Sequence, residues 1–134
     1  MTDHPTDAVV VRWFAAGDAG RFDVFDDVLH PDVVIHAPAG LSTTGAAEEQ
    51  QVWRAALTAM PDLVHEVQEV LVDGDVEMAR VVVTGTMVGA FGGVDGTGRS
   101  FRMDQAVIVH LRDGRITEAW EIADVAALRE QVSD

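Results

Sequence analysis

The sequence predicts an α+β fold in which helices of the first half pack on a curved, mostly antiparallel sheet of the second half. Apolar residues recur at helical spacing as far as the proline at position 61, and Val-rich segments separated by turn residues follow. Strands that follow helices in a run, instead of alternating with them, favour α+β over a parallel α/β sheet. The length of 134 residues fits a single domain, 1–134.

The first helix is predicted within residues 7–20. Val9, Val10, Trp13 and Phe14 recur at a spacing that places them on one helix face. Glycines at positions 17 and 20 mark its end.

Two more helices are predicted. Residues 21–32 repeat the pattern and stop at Pro31, and residues 42–62 form an apolar helix face that ends at Pro61. The face of this third helix consists of Val52, Trp53, Ala56, Leu57 and Met60. A short apolar strand, "VVIHAP", lies between these two helices.

The second half is predicted to form two long hairpins. Residues 63–91 turn at Asp73, Gly74 and Asp75, and residues 99–124 turn at Asp113 and Gly114. Residues 92–98 form a glycine-rich loop, and residues 125–132 form a short terminal helix with Asp124 as its cap. A curved sheet with helices over its mouth encloses a cone-shaped pocket.

The turn of the last hairpin decides which of its side chains share a face. A two-residue type I′ turn pairs Arg112 with Arg115, whereas a type I turn with a glycine bulge pairs Leu111 with Arg115. We favour the bulged turn, which places Gln105 opposite Glu121, because it gives two chemically coherent faces. The face predicted to line the pocket consists of Gln105, Val107, Val109, Leu111, Thr117, Ala119 and Glu121.

The opposite face of this hairpin is bulky and is predicted to pack against a second subunit in a homodimer. It consists of Asp104, Ala106, Ile108, His110, Ile116, Glu118, Trp120 and Ile122. Four of these side chains, Ile108, Ile116, Trp120 and Ile122, would otherwise expose a large apolar patch.

Glu121 is the candidate catalytic carboxyl. Burial in an apolar cavity raises the pKa of a carboxyl group and suits it to general acid or base catalysis near neutral pH. The alternative is that Glu121 lies in water at a strand end, or hydrogen-bonds a backbone amide.

Composition excludes several other functions. The formal net charge of −14 argues against nucleic-acid and membrane partners, and the chain has no cysteine for disulfide or thiolate chemistry. No segment has the length of a membrane span or the pattern of a signal peptide, so we expect a cytoplasmic protein. No histidine pair has metal-ligand spacing, so no metal site is expected, and we predict that His65 and His110 lie on the surface.

Several segments together resemble the SnoaL-like polyketide cyclases, which have the nuclear-transport-factor-2-like cone fold. The segments are "HPDVVIHAP" (30–38), "MPDL" (60–63), "GTMVGAFGG" (85–93), "TGR" (97–99) and "DGRITEAWEIAD" (113–124), together with Trp53. The resemblance implies a cofactor-free reaction in which an aspartate on the last strand takes a proton alpha to a carbonyl. That aspartate falls on Glu121, a pocket glutamine falls on Gln105, and a pocket histidine falls on Val107.

The resemblance therefore implies a cofactor-independent cyclase or isomerase of secondary metabolism that acts on a small hydrophobic, polyketide-like molecule. His36 would supply an imidazole from another wall, and Phe14, Trp53, Val107 and Ala119 would contact the substrate. Two alternatives remain open. One is a non-catalytic ligand-binding or accessory protein, favoured by Val107. The other is an epoxide hydrolase or dehydratase-like enzyme, for which Arg102, Asp104 and Asp124 would be the charged cluster.

Overall fold

The structure is a computed structural model that describes residues 7–133. Its helices are α1 (Val9–Asp18), α2 (Phe25–Val28), α3 (Ala46–Ala59) and α4 (Val125–Val132), and a 3-10 turn, Phe22–Val24, precedes α2. Its strands are β1 (Leu29–His36), β2 (Thr43–Thr44), β3 (Val64–Asp73), β4 (Val76–Thr86), β5 (Ser100–Arg112) and β6 (Arg115–Ala123). None of the helices in residues 7–133 is long and apolar enough to cross a membrane.

All six strands form one mixed sheet in the order β2, β1, β6, β5, β4, β3. The pairing of β1 with β6 is parallel, and the other pairs are antiparallel. Within residues 7–133 the sheet stays open, with β2 and β3 as its edges. The predicted α+β class is confirmed, and the four helices pack on this sheet.

A second helical segment is present, as predicted, but the prediction that it ends at Pro31 was wrong. The helical residues end at Val28, and β1 already includes Pro31. Proline lacks the N–H that a regular strand pair uses, and Pro31 lies where the pairing of β1 with β6 shifts register, between Leu29 and Val34.

Helix α1 is fixed at both ends by groups that satisfy its free backbone atoms. Its N-terminal N–H groups on Val9 and Val10 donate to the buried carboxylate of Glu77, at 3.1 and 2.8 Å. A carboxylate at this end also interacts favourably with the helix dipole. At the other end Gly20, with φ of 70°, closes a Schellman motif in which Arg21 N–H donates to the Ala16 carbonyl.

Gly17 lies inside α1 because Trp53 of α3 packs directly on it. A Cβ atom at this position would lie 2.4 Å from the Trp53 ring. Trp53 in turn belongs to an aromatic cluster with Trp13, Phe14 and Phe25 at ring distances of 6.1 to 6.4 Å. This cluster joins helices α1, α2 and α3.

The last hairpin has the turn that we did not favour, followed by a bulge. Arg112 pairs with Arg115, and both turn residues have positive φ, as a type I′ turn requires. The register then shifts between His110 and Leu111, so that Glu121 lies opposite Val107 and not opposite Gln105.

The shift changes the partners but not the faces of most residues. Relative to the favoured register, the strands have slipped by two residues, and a slip of two preserves the side of the sheet on which each residue lies. Ile116 is the exception: it was assigned to the outer face and is instead fully buried in the core. The bulge at Thr117 is the reason, because it adds one residue to β6 between Ile116 and Glu118.

Candidate active site

A pocket of about 150 Å³ lies between the inner face of the sheet, helices α3 and α4, and the loops at 37–41 and 91–94. It is partly open to solvent, and most of its wall is apolar. The polar or charged side chains in its lining are few: Glu49, His65, Gln105 and Glu121. A few polar groups in an apolar concavity are typical of a small-molecule site.

Glu121 lies on the pocket side of β6, as the sequence predicted. Burial and, to a lesser extent, like-charge repulsion from the nearby Glu49 together raise the pKa of Glu121 to about 8. The side chain keeps part of its surface accessible, and it lines the pocket. At neutral pH this carboxyl is therefore mostly protonated and can donate a proton to a bound oxygen atom.

Glu49 is a second pocket carboxyl, on α3, that our sequence analysis missed. It is 3% exposed, and both its oxygens accept hydrogen bonds, from the Thr43 hydroxyl at 2.8 Å and from Trp53 Nε1 at 2.9 Å. Burial raises its pKa, and these two hydrogen bonds oppose that effect. The sequence held a signal for it, since Glu49 precedes Trp53 by four residues and thus shares its helix face.

Gln105 lines the pocket from β5, beside the strand that carries Glu121. Its side chain is buried, and its carbonyl oxygen has no hydrogen-bond partner among the described residues. A buried amide without a partner costs free energy, which a ligand hydroxyl or N–H would recover.

His65 is the imidazole of the pocket, and the prediction that it lies on the surface was wrong. Its side chain is only 10% exposed, and it lines the pocket from β3. Its Nδ1 atom lies 2.7 Å from Oδ1 of Asp18, and its backbone N–H donates to Oδ2 of Asp18 at 2.6 Å. Its ring lies 5.0 Å from the rings of both Phe14 and Trp53.

His36 does not reach the pocket. It lies on the outer face of the sheet, where Nε2 is 2.7 Å from Oε2 of Glu118 and the ring stacks on Trp120. The resemblance implied a pocket position for His36, and the sequence alone could not show how the strand that carries it pairs. Its parallel pairing with β6 puts His36 beside Trp120, on the side opposite Glu121.

Of the four predicted substrate contacts, the structure places one in the pocket wall. Trp53 lines the pocket. Phe14, Val107 and Ala119 are buried in the core behind that wall and are not among the lining residues. Their side chains pack in the core and do not face the open space of the pocket.

The charged residues of the hydrolase alternative are neighbours in the structure, but none of them lines the pocket. Arg102 and Asp104 are exposed on β5, and Asp124 caps α4 by accepting the N–H of Ala127 at 3.0 Å, as predicted. Within residues 7–133, no three His, Asp or Glu side chains are grouped to hold a metal ion.

The fold and the site define a class of protein. It is an α+β cone whose apolar pocket contains a carboxyl group, that of Glu121, with a raised pKa. The family model of the SnoaL-like polyketide cyclases matches residues 8–132. The chain belongs to the SnoaL-like polyketide cyclase family.

Solved structures agree with this assignment. IdmH of Streptomyces antibioticus, a candidate polyketide cyclase, is 29% identical with a TM-score of 0.81, and the match covers 96% of this chain and 98% of IdmH. TsrD of Streptomyces laurentii is 25% identical with a TM-score of 0.84, covering 93% and 92% of the two chains. A candidate SnoaL-like cyclase of Jannaschia sp. CCS1, at 23% identity and a TM-score of 0.84, covers 99% and 98% and shares the fold. A search of curated proteins gave no significant match.

Proposed function

We propose that this protein is a cofactor-independent cyclase of secondary metabolism that closes a ring in a neutral, polyketide-like molecule, with Glu121 as its acid or base. The observation that carries the proposal is the Glu121 carboxyl in an apolar pocket, with its pKa raised to about 8. Membership of the cyclase family supports the reaction class.

The reaction is an intramolecular aldol closure. A C–H bond alpha to one carbonyl breaks, the resulting carbon attacks a second carbonyl carbon, and a C–C bond forms. The oxygen of the second carbonyl takes a proton. Substrate and product are isomers, so the step consumes no oxidant or reductant. A carboxyl whose pKa lies near the working pH can exchange the protons that this step requires.

The pocket wall suits a flat, unsaturated substrate. Trp53 and Phe101 present ring surfaces, and three methionines add flexible thioethers that pack well against aromatic rings. These methionines are Met60, Met87 and Met103. Among residues 7–133, two carboxyls line the pocket and no Lys or Arg does, so a substrate without a negative charge is favoured.

The test uses a synthetic, neutral 1,5-diketone that carries an aromatic ring, with the cyclised isomer measured by NMR. We expect the wild-type protein to accelerate closure and Glu121→Gln to lose roughly 10²-fold or more of that acceleration. The matched control is Glu118→Gln, which removes an acid of the same strand that points outward. Equal rates for wild type and Glu121→Gln would refute the role of Glu121.

One observation favours a second candidate, a ligand-binding protein of the same fold. Val107, the position that the resemblance matched to a pocket histidine of the family, lies directly opposite Glu121 and supplies no ionisable group beside it. A ligand-binding protein would bind the diketone tightly and yield no product at any pH. That result would refute the proposed cyclase activity.

A further inference from the structure

We propose that His65, oriented by Asp18, contacts the substrate and is the general base of the reaction, so that Glu121 serves as the acid. The inference rests on the proposed function and assigns a catalytic role within the same pocket. Three observations carry it: the position of His65 in the lining, the state of its ring nitrogens, and the way its ring is held.

Asp18 determines which nitrogen of His65 carries hydrogen. A carboxylate oxygen can only accept, so the Nδ1 atom that lies 2.7 Å from it is the donor. The Nε2 atom on the far side of the ring then has a free lone pair. Within residues 7–133, nothing hydrogen-bonds this Nε2 atom.

The ring is also held in one orientation. Asp18 accepts from both the ring and the backbone N–H of His65, and the rings of Phe14 on α1 and Trp53 on α3 lie 5.0 Å from the imidazole. A base that is already oriented needs little reorganisation when the substrate binds.

The location of Asp18 is unusual for a residue that serves the helix alone. It is the last residue of α1, where the helix dipole disfavours a negative charge. Two hydrogen bonds to His65 compensate for this unfavourable position. The pair spans 47 positions of sequence, so it joins the end of the first helix to the first residues of the outermost long strand.

His65 and Glu121 together account for every proton that moves in the reaction. Nε2 of His65 takes the proton from the carbon alpha to the carbonyl, and the electron pair of that C–H bond becomes the nucleophile. Glu121 gives its proton to the oxygen on which negative charge develops. Transfer from the imidazolium back to the Glu121 carboxylate, directly or through water, restores both groups.

The experiment measures one half of this reaction, enolisation, with 2-tetralone as a neutral bicyclic ketone. Exchange of its alpha protons for deuterium in heavy water is followed by NMR. The variant is His65→Asn, since the asparagine amide still donates to Asp18 but offers no nitrogen lone pair. We expect it to lose roughly 10²-fold or more of the catalysed exchange. His110→Asn, an exposed histidine on β5, is the matched control and should keep the wild-type rate.

A second variant tests the orientation. In Asp18→Asn the amide oxygen can still accept the backbone N–H, while the amide nitrogen donates to Nδ1 and moves the ring hydrogen to Nε2. We expect nitrogen-15 spectra to show this change of tautomer, together with loss of exchange and an unchanged melting temperature. A merely structural role for His65 would leave the exchange rate of His65→Asn near that of wild type.

The outcomes separate the two proposals. If Glu121→Gln loses exchange and His65→Asn keeps it, the inference about His65 is overturned and the proposed function stands. If His65→Asn loses exchange and Glu121→Gln keeps it, His65 is supported and the assignment of Glu121 fails. If the wild-type protein gives no exchange, both proposals are overturned.

Discussion

Replacing Glu121 by glutamine should change how the stability of the protein depends on pH, independently of any substrate. Burial and the nearby Glu49 raise the pKa of Glu121 from the usual 4.5 to about 8 in the folded protein. Between these two pH values the folded chain holds a proton that the unfolded chain has released. The free energy of unfolding of the wild type therefore falls as the pH rises from about 4.5 to about 8, and it levels off above that range.

The size of the effect follows from the pKa difference. At 1.36 kcal/mol for each pKa unit, the change from 4.5 to about 8 corresponds to about 5 kcal/mol. Glu121 lines a pocket that is partly open, and solvent there screens the carboxylate, so we expect ~2 to 3 kcal/mol. Glutamine has no charge to bury and removes this contribution.

The assay is urea denaturation at about pH 5 and about pH 9, with wild type, Glu121→Gln and Glu118→Gln. We expect the free energy of unfolding of the wild type to fall from the lower to the higher pH. The free energy of unfolding of Glu121→Gln should lack this fall, so the variant gains stability relative to the wild type as the pH rises. Glu118→Gln replaces a half-exposed acid on the outer face and should follow the wild-type curve. If the curves of wild type and Glu121→Gln are parallel, Glu121 is not buried in an apolar pocket and the reasoning fails.

Three further perturbations test the pocket and the surface. Glu49→Gln should lower the pKa of Glu121 below about 8 but not to its usual value, because burial is the larger cause of the shift. Carbon-13 NMR of the Glu121 carboxyl would measure this pKa. An unchanged pKa would contradict the electrostatic coupling between the two carboxyls. Gly17→Ala should destabilise the protein by ~1 to 3 kcal/mol in thermal unfolding, because the added methyl group meets the Trp53 ring; a more stable variant would show that helix propensity outweighs this contact. We also propose a homodimer through the outer face of the sheet, where Ile122 is 64% exposed. Sedimentation should show a dimer for the wild type and a monomer for Ile122→Glu. A wild-type monomer at micromolar concentration would refute the dimer.

The sequence predicted those parts of the site that depend on local periodicity. Alternation along β6 placed Glu121 on the inner face although the predicted pairing was displaced by two residues. Helical spacing placed Trp53 on the buried face of α3, and the acid before the last helix was identified as its cap. In each case the pattern is a property of one element, so distant residues do not alter it.

The parts of the site that sequence reasoning missed depend on pairs of distant elements. His65 alternates with Leu63 and Val67, which was a signal for the inner face, but only the fold brings Asp18 to its ring. His36 was misplaced because the face of β1 depends on its parallel pairing with β6.

The sequence by itself determined the fold class, the order of the elements and the inward direction of Glu121, because apolar periodicity requires one face of each helix and strand to be buried. The tertiary structure alone decided which groups surround that carboxyl. Glu49 lines the pocket from α3. His65 lines it from β3, an edge strand of the sheet that is separated from β6 by β5 and β4. Burial and like-charge repulsion depend on distances in space, which neighbouring positions in the sequence do not specify.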